Sequence, residues 1–237
     1  KYHDYLNSEG DVDVVGSSFQ RSRILKELEP DTYQLTFEDW VAERKITLLN
    51  VADQVLESHD NSFRFVALKK AYNSRSVIPF LGAGISMPSG YPGWTKFLWD
   101  LQAESHVEAD GLDALLAAGD YEGAAQLIHD DLGSALFNKQ LQECFGRECS
   151  AIGPINLLPL AFPESNVITT NFDKLLESTF YGLSQGFDLS ISGGNLDEAL
   201  RIMSAGGRYL LKLHGSCEVV SNRVLLHQEY VGAYGNL

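Results

Sequence analysis

Three short segments carry the groups best suited to chemistry, and each closes an apolar run. Gly82-Ala83-Gly84-Ile85-Ser86 follows Val77–Leu81, Thr170-Asn171-Phe172-Asp173 follows Asn166–Thr169, and His214-Gly215-Ser216 follows Arg208–Leu213. A glycine pair after a buried run permits both a tight turn and contact between backbone and a phosphate, because no Cβ stands in the way. The pair fails the dinucleotide fingerprint, since Met87 occupies the third glycine position, and no Gly-Lys-Ser/Thr follows to make a phosphate loop. Asn171 alone reads as a turn residue or a helix N-cap, with the cap favoured. His214 alone reads equally well as a structural histidine, although Gly215 leaves room beside its ring.

Other motifs carry less. Gly182-Leu183-Ser184-Gln185-Gly186 matches a nucleophile elbow, which needs a strand before it and a helix after it, and the periodicity here gives the reverse order. No histidine pair has ligand spacing and no CxxC occurs, so no metal site is expected. Cys144, Cys149 and Cys217 read as small buried hydrophobes in a reducing cytoplasm.

The elements that must position the three segments alternate in type. Strands are expected at Val77–Leu81, Asn166–Thr169, Phe187–Ser192 and Arg208–Leu213, with a small hairpin at 219–226. Helical spacing covers 22–28, 36–57, 63–72, 94–106, 196–203 and 228–234, with one helix starting at Phe172. Residues 1 to about 20 read as a loose arm or edge strand, and 107–160 as a wholly helical insertion. This pattern predicts an α/β fold: a Rossmann-like, mostly parallel sheet with helices on both faces and a helical insertion subdomain, ligands binding beyond the carboxyl ends of the strands. Residues 1–70 are expected to form a helical arm or packing extension to a 71–237 domain.

The chain has 237 residues, 44% of them hydrophobic, and a formal charge of -14, which opposes extended contact with a nucleic-acid backbone. A diphosphate held by backbone N–H groups needs no such surplus of positive charge. No apolar run approaches the roughly 20 residues of a membrane helix, so no membrane partner is expected. Both ends read as cut points within a longer protein, with the carboxyl end truncated.

Taken together and in this order, GAGxS, T-x-N-x-D and HG, the three segments resemble the sirtuin superfamily. The likeness extends over roughly Val77 to Tyr234 and is strongest to the bacterial sirtuin-like proteins of anti-phage defence, through Pro79–Gly84 and Ser89–Trp94. It implies an NAD-binding domain that cleaves the bond between nicotinamide and ribose. Gly82, Ala83, Gly84 and Ser86 would line the diphosphate and adjoining ribose, with Thr170, Gly215 and Ser216 also at the cofactor. Asn171 would hold the nicotinamide ribose and the attacking water, Asp173 would fix the cofactor, and His214 would act as general base. Positive charge builds on the sugar as nicotinamide leaves, so such groups help most in the transition state.

The departures from the deacylating members matter. Their two CxxC pairs for zinc are missing, Pro92-Gly93-Trp94 stands where they carry Pro-Asp-Phe-Arg, and Thr170 replaces their glutamine. Water is then the expected acceptor, making the protein an NAD+ hydrolase that depletes NAD in defence. A homo-oligomer and a controlling partner or further domain are also implied. The alternatives are an NAD-dependent deacylase or ADP-ribosyl transferase, and a non-catalytic module that senses NAD or ADP-ribose.

Overall fold

The computed structural model describes residues 1–193, 201, 204 and 206–235, in two compact units, Lys1–Ser74 and Arg75–Leu237.

In the first unit, α1 (Tyr2–Asn7), β1 (Val12–Val14), β2 (Ser17–Phe19), α2 (Arg21–Leu28), α3 (Pro30–Glu57) and α4 (Asn61–Asn73) follow in order. The first 20 residues are no loose arm. Tyr2 is buried against the rings of Tyr33, Phe37 and Trp40, which ties α1 to α3. Val15 and Gly16, both at positive φ, turn the antiparallel hairpin β1–β2, as a two-residue connection requires. Pro30 opens α3, where a missing N–H costs nothing.

The second unit holds the sheet. β3 (Phe80–Leu81) leads through two 3-10 turns, Ala83–Ile85 and Met87–Ser89, to α5 (Trp94–Gln102). The helical insertion follows as α6 (Ala109–Ala117), α7 (Tyr121–Leu132), α8 (Ser134–Phe145), a 3-10 turn at Pro154–Leu157 and α9 (Leu158–Ala161). Then come β4 (Val167–Thr169), α10 (Leu175–Gly182), β5 (Leu189–Ser192), β6 (Tyr209–Lys212) and α11 (His227–Tyr234). The expected helix over 196–203 lies outside the described residues, apart from 201.

The four strands are parallel in the order β3-β4-β6-β5, so the glycine, asparagine and histidine segments leave three adjacent strands at the same end. Register pairs Leu81 with Thr169 and Thr169 with Lys212. Side chains alternate accordingly. Val167 and Leu210 join the main core with Phe172, Leu175, Leu176 and Phe180, while Tyr209, Leu211 and Ile191 form a smaller cluster on the opposite face. The first strand is shorter than expected because Pro79 has no N–H to give, although its carbonyl still accepts from Ile168.

The hairpin expected at 219–226 does not form. A 3-10 turn at Val220–Asn222 stands in its place, Val224 donates to the His214 carbonyl, and Val224, Leu225 and Leu226 are buried. The apolar run expected to form the hairpin's second strand is drawn into the core.

Candidate functional site

Asn171 is 5% exposed and does not cap a helix. Its Nδ2 donates to the Gly82 carbonyl and to Ser86 Oγ, both at 3.1 Å, so it bridges the β4 tip to the β3 tip. The Asn171 N–H is held by Thr169 Oγ1 at 3.0 Å, and Thr169 in turn donates to the Leu81 carbonyl. With the amide fixed this way, Asn171 Oδ1 is left buried and without a partner among the described residues. An unmet buried acceptor is costly unless something outside the chain completes it.

α10 begins at Leu175 with Lys174 in the cap position, and Asp173 just before it steadies the entry, its Oδ1 accepting from the Leu175 N–H at 3.0 Å. Ser86 hydrogen-bonds the same carboxyl, so Asn171, Ser86 and Asp173 form one chain of contacts. Burial pushes the Asp173 carboxyl above the usual carboxylate range, against the opposing hydrogen bonds from Leu175 and Ser86.

Gly82 and Gly84 are exposed, and neither adopts the left-handed backbone that would demand glycine. An added Cβ at either position would meet nothing within 4 Å among the described residues. Neither conformation nor packing of the chain therefore calls for glycine here. Gly215 is the opposite case: at φ +77 its absent Cβ makes way for the Asn222 carbonyl, 2.2 Å from where that atom would stand. The room beside His214 that the sequence promises is thus taken up by the chain itself.

His214 is half-buried, with Nε2 sharing a hydrogen bond with the Tyr230 hydroxyl of α11 at 3.2 Å. Burial lowers the imidazole below its ordinary value, with Glu122 pulling weakly the other way, so the ring is neutral at pH 7 and able to take a proton. Burial pushes the Tyr230 phenol up to about 12, so it stays protonated. Ser216 and Thr170 stand on the same tips, and the Thr170 N–H is used by the Leu81 carbonyl at 3.2 Å.

Sequence reasoning passed over Lys212. It is 2% exposed, and its Nζ lies 3.4 Å from the Phe172 carbonyl, 2.6 Å from the Asp173 carbonyl and 2.9 Å from Glu177 Oε1. A lysine inside an otherwise apolar strand was the available signal, since an unpaired buried ammonium is not tolerated. The loop after the glycine turn is likewise pinned in a way the sequence conceals. Ser89 Oγ accepts from the Ile152 N–H at 2.9 Å and the Tyr91 hydroxyl donates to the Arg147 carbonyl at 2.6 Å. Cavities of about 670 and 990 Å³, both lined by Tyr91 and Arg147, include neither Asn171 nor His214.

Residues 165–236 match the SIR2-like domain family. This SIR2-like segment starts just before β4 and takes in the Asn171 turn, β6, His214 and α11; the glycine turn lies upstream of it. The chain is 30% identical over 141 residues to Defense-associated sirtuin 2 of Bacillus subtilis, covering 59% of this chain and 13% of that protein. It is 22% identical over 174 residues to NAD(+) hydrolase ThsA of Acinetobacter baumannii (strain 532279), covering 73% of this chain and 34% of that one. The ThsA of Enterococcus faecium is 26% identical over 153 residues, covering 64% of this chain and 30% of its own length. The chain therefore spans about a third or less of these curated relatives.

Proposed function

We propose that this chain carries an NAD+-hydrolysing centre that releases nicotinamide and ADP-ribose, and that it serves to deplete NAD in defence against phage. The observation that carries the reading is the β4 tip: a buried, oriented asparagine whose Oδ1 has no partner among the described residues, beside two glycines that packing among those residues does not require. The names of the relatives, a defence-associated sirtuin and NAD(+) hydrolases, supply the substrate.

In this reading the diphosphate lies against Gly82–Gly84, where a methyl group would stand in its way. The first N–H groups of the 3-10 turn at Ala83–Ile85 have no partner within that turn and suit an anion. Asn171 Oδ1 accepts a hydrogen bond from the ribose or the attacking water, while Asp173 keeps Ser86 and the start of α10 in place. His214, neutral at physiological pH, accepts a proton from a ribose hydroxyl or water. The bound dinucleotide contributes a glycosidic bond whose cleavage leaves positive charge on the sugar, and acceptors fixed in advance stabilise that charge without reorganising. Gly215 has a structural task as well, its bare Cα making way for the Asn222 carbonyl.

The test is to incubate the complete protein with NAD+ and follow nicotinamide and ADP-ribose by chromatography, with and without an acetyl-lysine peptide. Nicotinamide and ADP-ribose in equal amounts without peptide are expected. Release only with peptide would make the protein a deacylase, and binding without any release a sensing module.

A further inference from the structure

We propose that Lys212 is the positioning residue of this centre, holding the Asn171–Asp173 turn rigid and tying it to the strand that ends in His214. The role given to the turn rests on the function proposed above. An ammonium has three N–H donors, and the Phe172 carbonyl, the Asp173 carbonyl and Glu177 Oε1 are three acceptors within 3.4 Å. The two carbonyls belong to the peptide links on either side of the Asp173 Cα, so both planes around that residue are clamped. Residues 170–173 have no regular structure, and among the described residues no helix or ladder N–H serves the Phe172 and Asp173 carbonyls.

The register explains why this residue can reach. Lys212 is paired with Thr169 and projects on the same face, under the turn that begins one residue later. Leu213 donates to the Thr169 carbonyl at 2.9 Å, so the two strand ends are joined by backbone and side chain together. Glu177, on the first turn of α10, supplies the counter-charge at 2.9 Å. A compact ammonium directs its donors to three sides, whereas a planar guanidinium cannot serve the same three acceptors.

The experiment compares Lys212→Met and Lys212→Arg with the unchanged protein, free of ligand, by amide hydrogen exchange, and then measures kcat and KM for NAD+. Exchange at the Asn171 and Leu175 N–H groups is expected to rise about tenfold or more in Lys212→Met, with the insertion core around Ile128 unaffected. A smaller rise is expected in Lys212→Arg. Turnover should follow, with kcat down about 100-fold in Lys212→Met and KM little changed, since a slightly misplaced acceptor costs about that much. Should Lys212→Met fail to fold, the arginine variant decides by the same amides. Exchange unchanged at those two positions, or raised evenly through the whole unit, would overturn the proposal. If the unchanged protein releases no nicotinamide, the functional reading fails while the exchange data still judge Lys212.

Discussion

A methyl group added at Gly82 meets open space, whereas one added at Gly215 meets the Asn222 carbonyl on a backbone already at positive φ. Gly82→Ala is therefore expected to change unfolding free energy by less than about 0.5 kcal/mol while cutting NAD+ turnover at least tenfold. Gly215→Ala should cost about 2 kcal/mol or more, seen as an earlier urea midpoint. Asp173 gives a test by pH. Burial raises its folded value, so its contribution to stability is present below the ordinary carboxylate range near 4 and is lost as pH rises through the raised value. Asp173→Asn should then gain on the unchanged protein as pH rises above about 4 in urea unfolding, while losing activity. An advantage of the native aspartate that grows with pH would refute this. His214 runs the other way: its value is depressed, so the stability it contributes is present above about 6.5 and lost as pH falls through the lower value. The acid limb of kcat/KM is accordingly expected below the ordinary histidine range.

At the level of elements, the order of strand tips was legible because each tip combines a β-rich run with a change to polar or glycine residues. What was not legible depends on partners far away in the chain. Asn171 looks like a cap until Gly82 and Ser86 are seen to hold its amide, and Lys212 looks like one more residue of a strand. The 219–226 segment looks like a hairpin because short apolar runs read alike whether they form edges or fill a core. Its real anchor is Arg223, 4% exposed, which pairs with Glu229 at 2.7 Å, while Glu229 Oε2 accepts from the Leu225 and Leu226 N–H groups at the start of α11. Removing one member of a buried pair costs about 3–5 kcal/mol. Arg223→Ala should thus lower the melting temperature by several degrees, and because α11 carries Tyr230, it should also disturb His214. A variant that melts normally would show that this tie is idle.

For the whole molecule, alternation of strand and helix was enough to foretell a parallel sheet with a helical insertion, and the strand order adds what periodicity cannot, namely that β6 lies between β4 and β5. The buried core of the second unit is built from residues beyond Ser74. The piece Arg75–Leu237 is therefore expected to unfold cooperatively on its own, as followed by circular dichroism. The most direct test of the central claim, that the Asn171 tip and the bare glycines hold NAD+ for cleavage, is the rate of nicotinamide release by Asn171→Ala beside that of the unchanged protein, each with its melting temperature. A rate lower by about 100-fold or more, in a variant still folded at the assay temperature despite losing the bonds to Gly82 and Ser86, is the result expected. Equal rates in the two proteins would contradict the account.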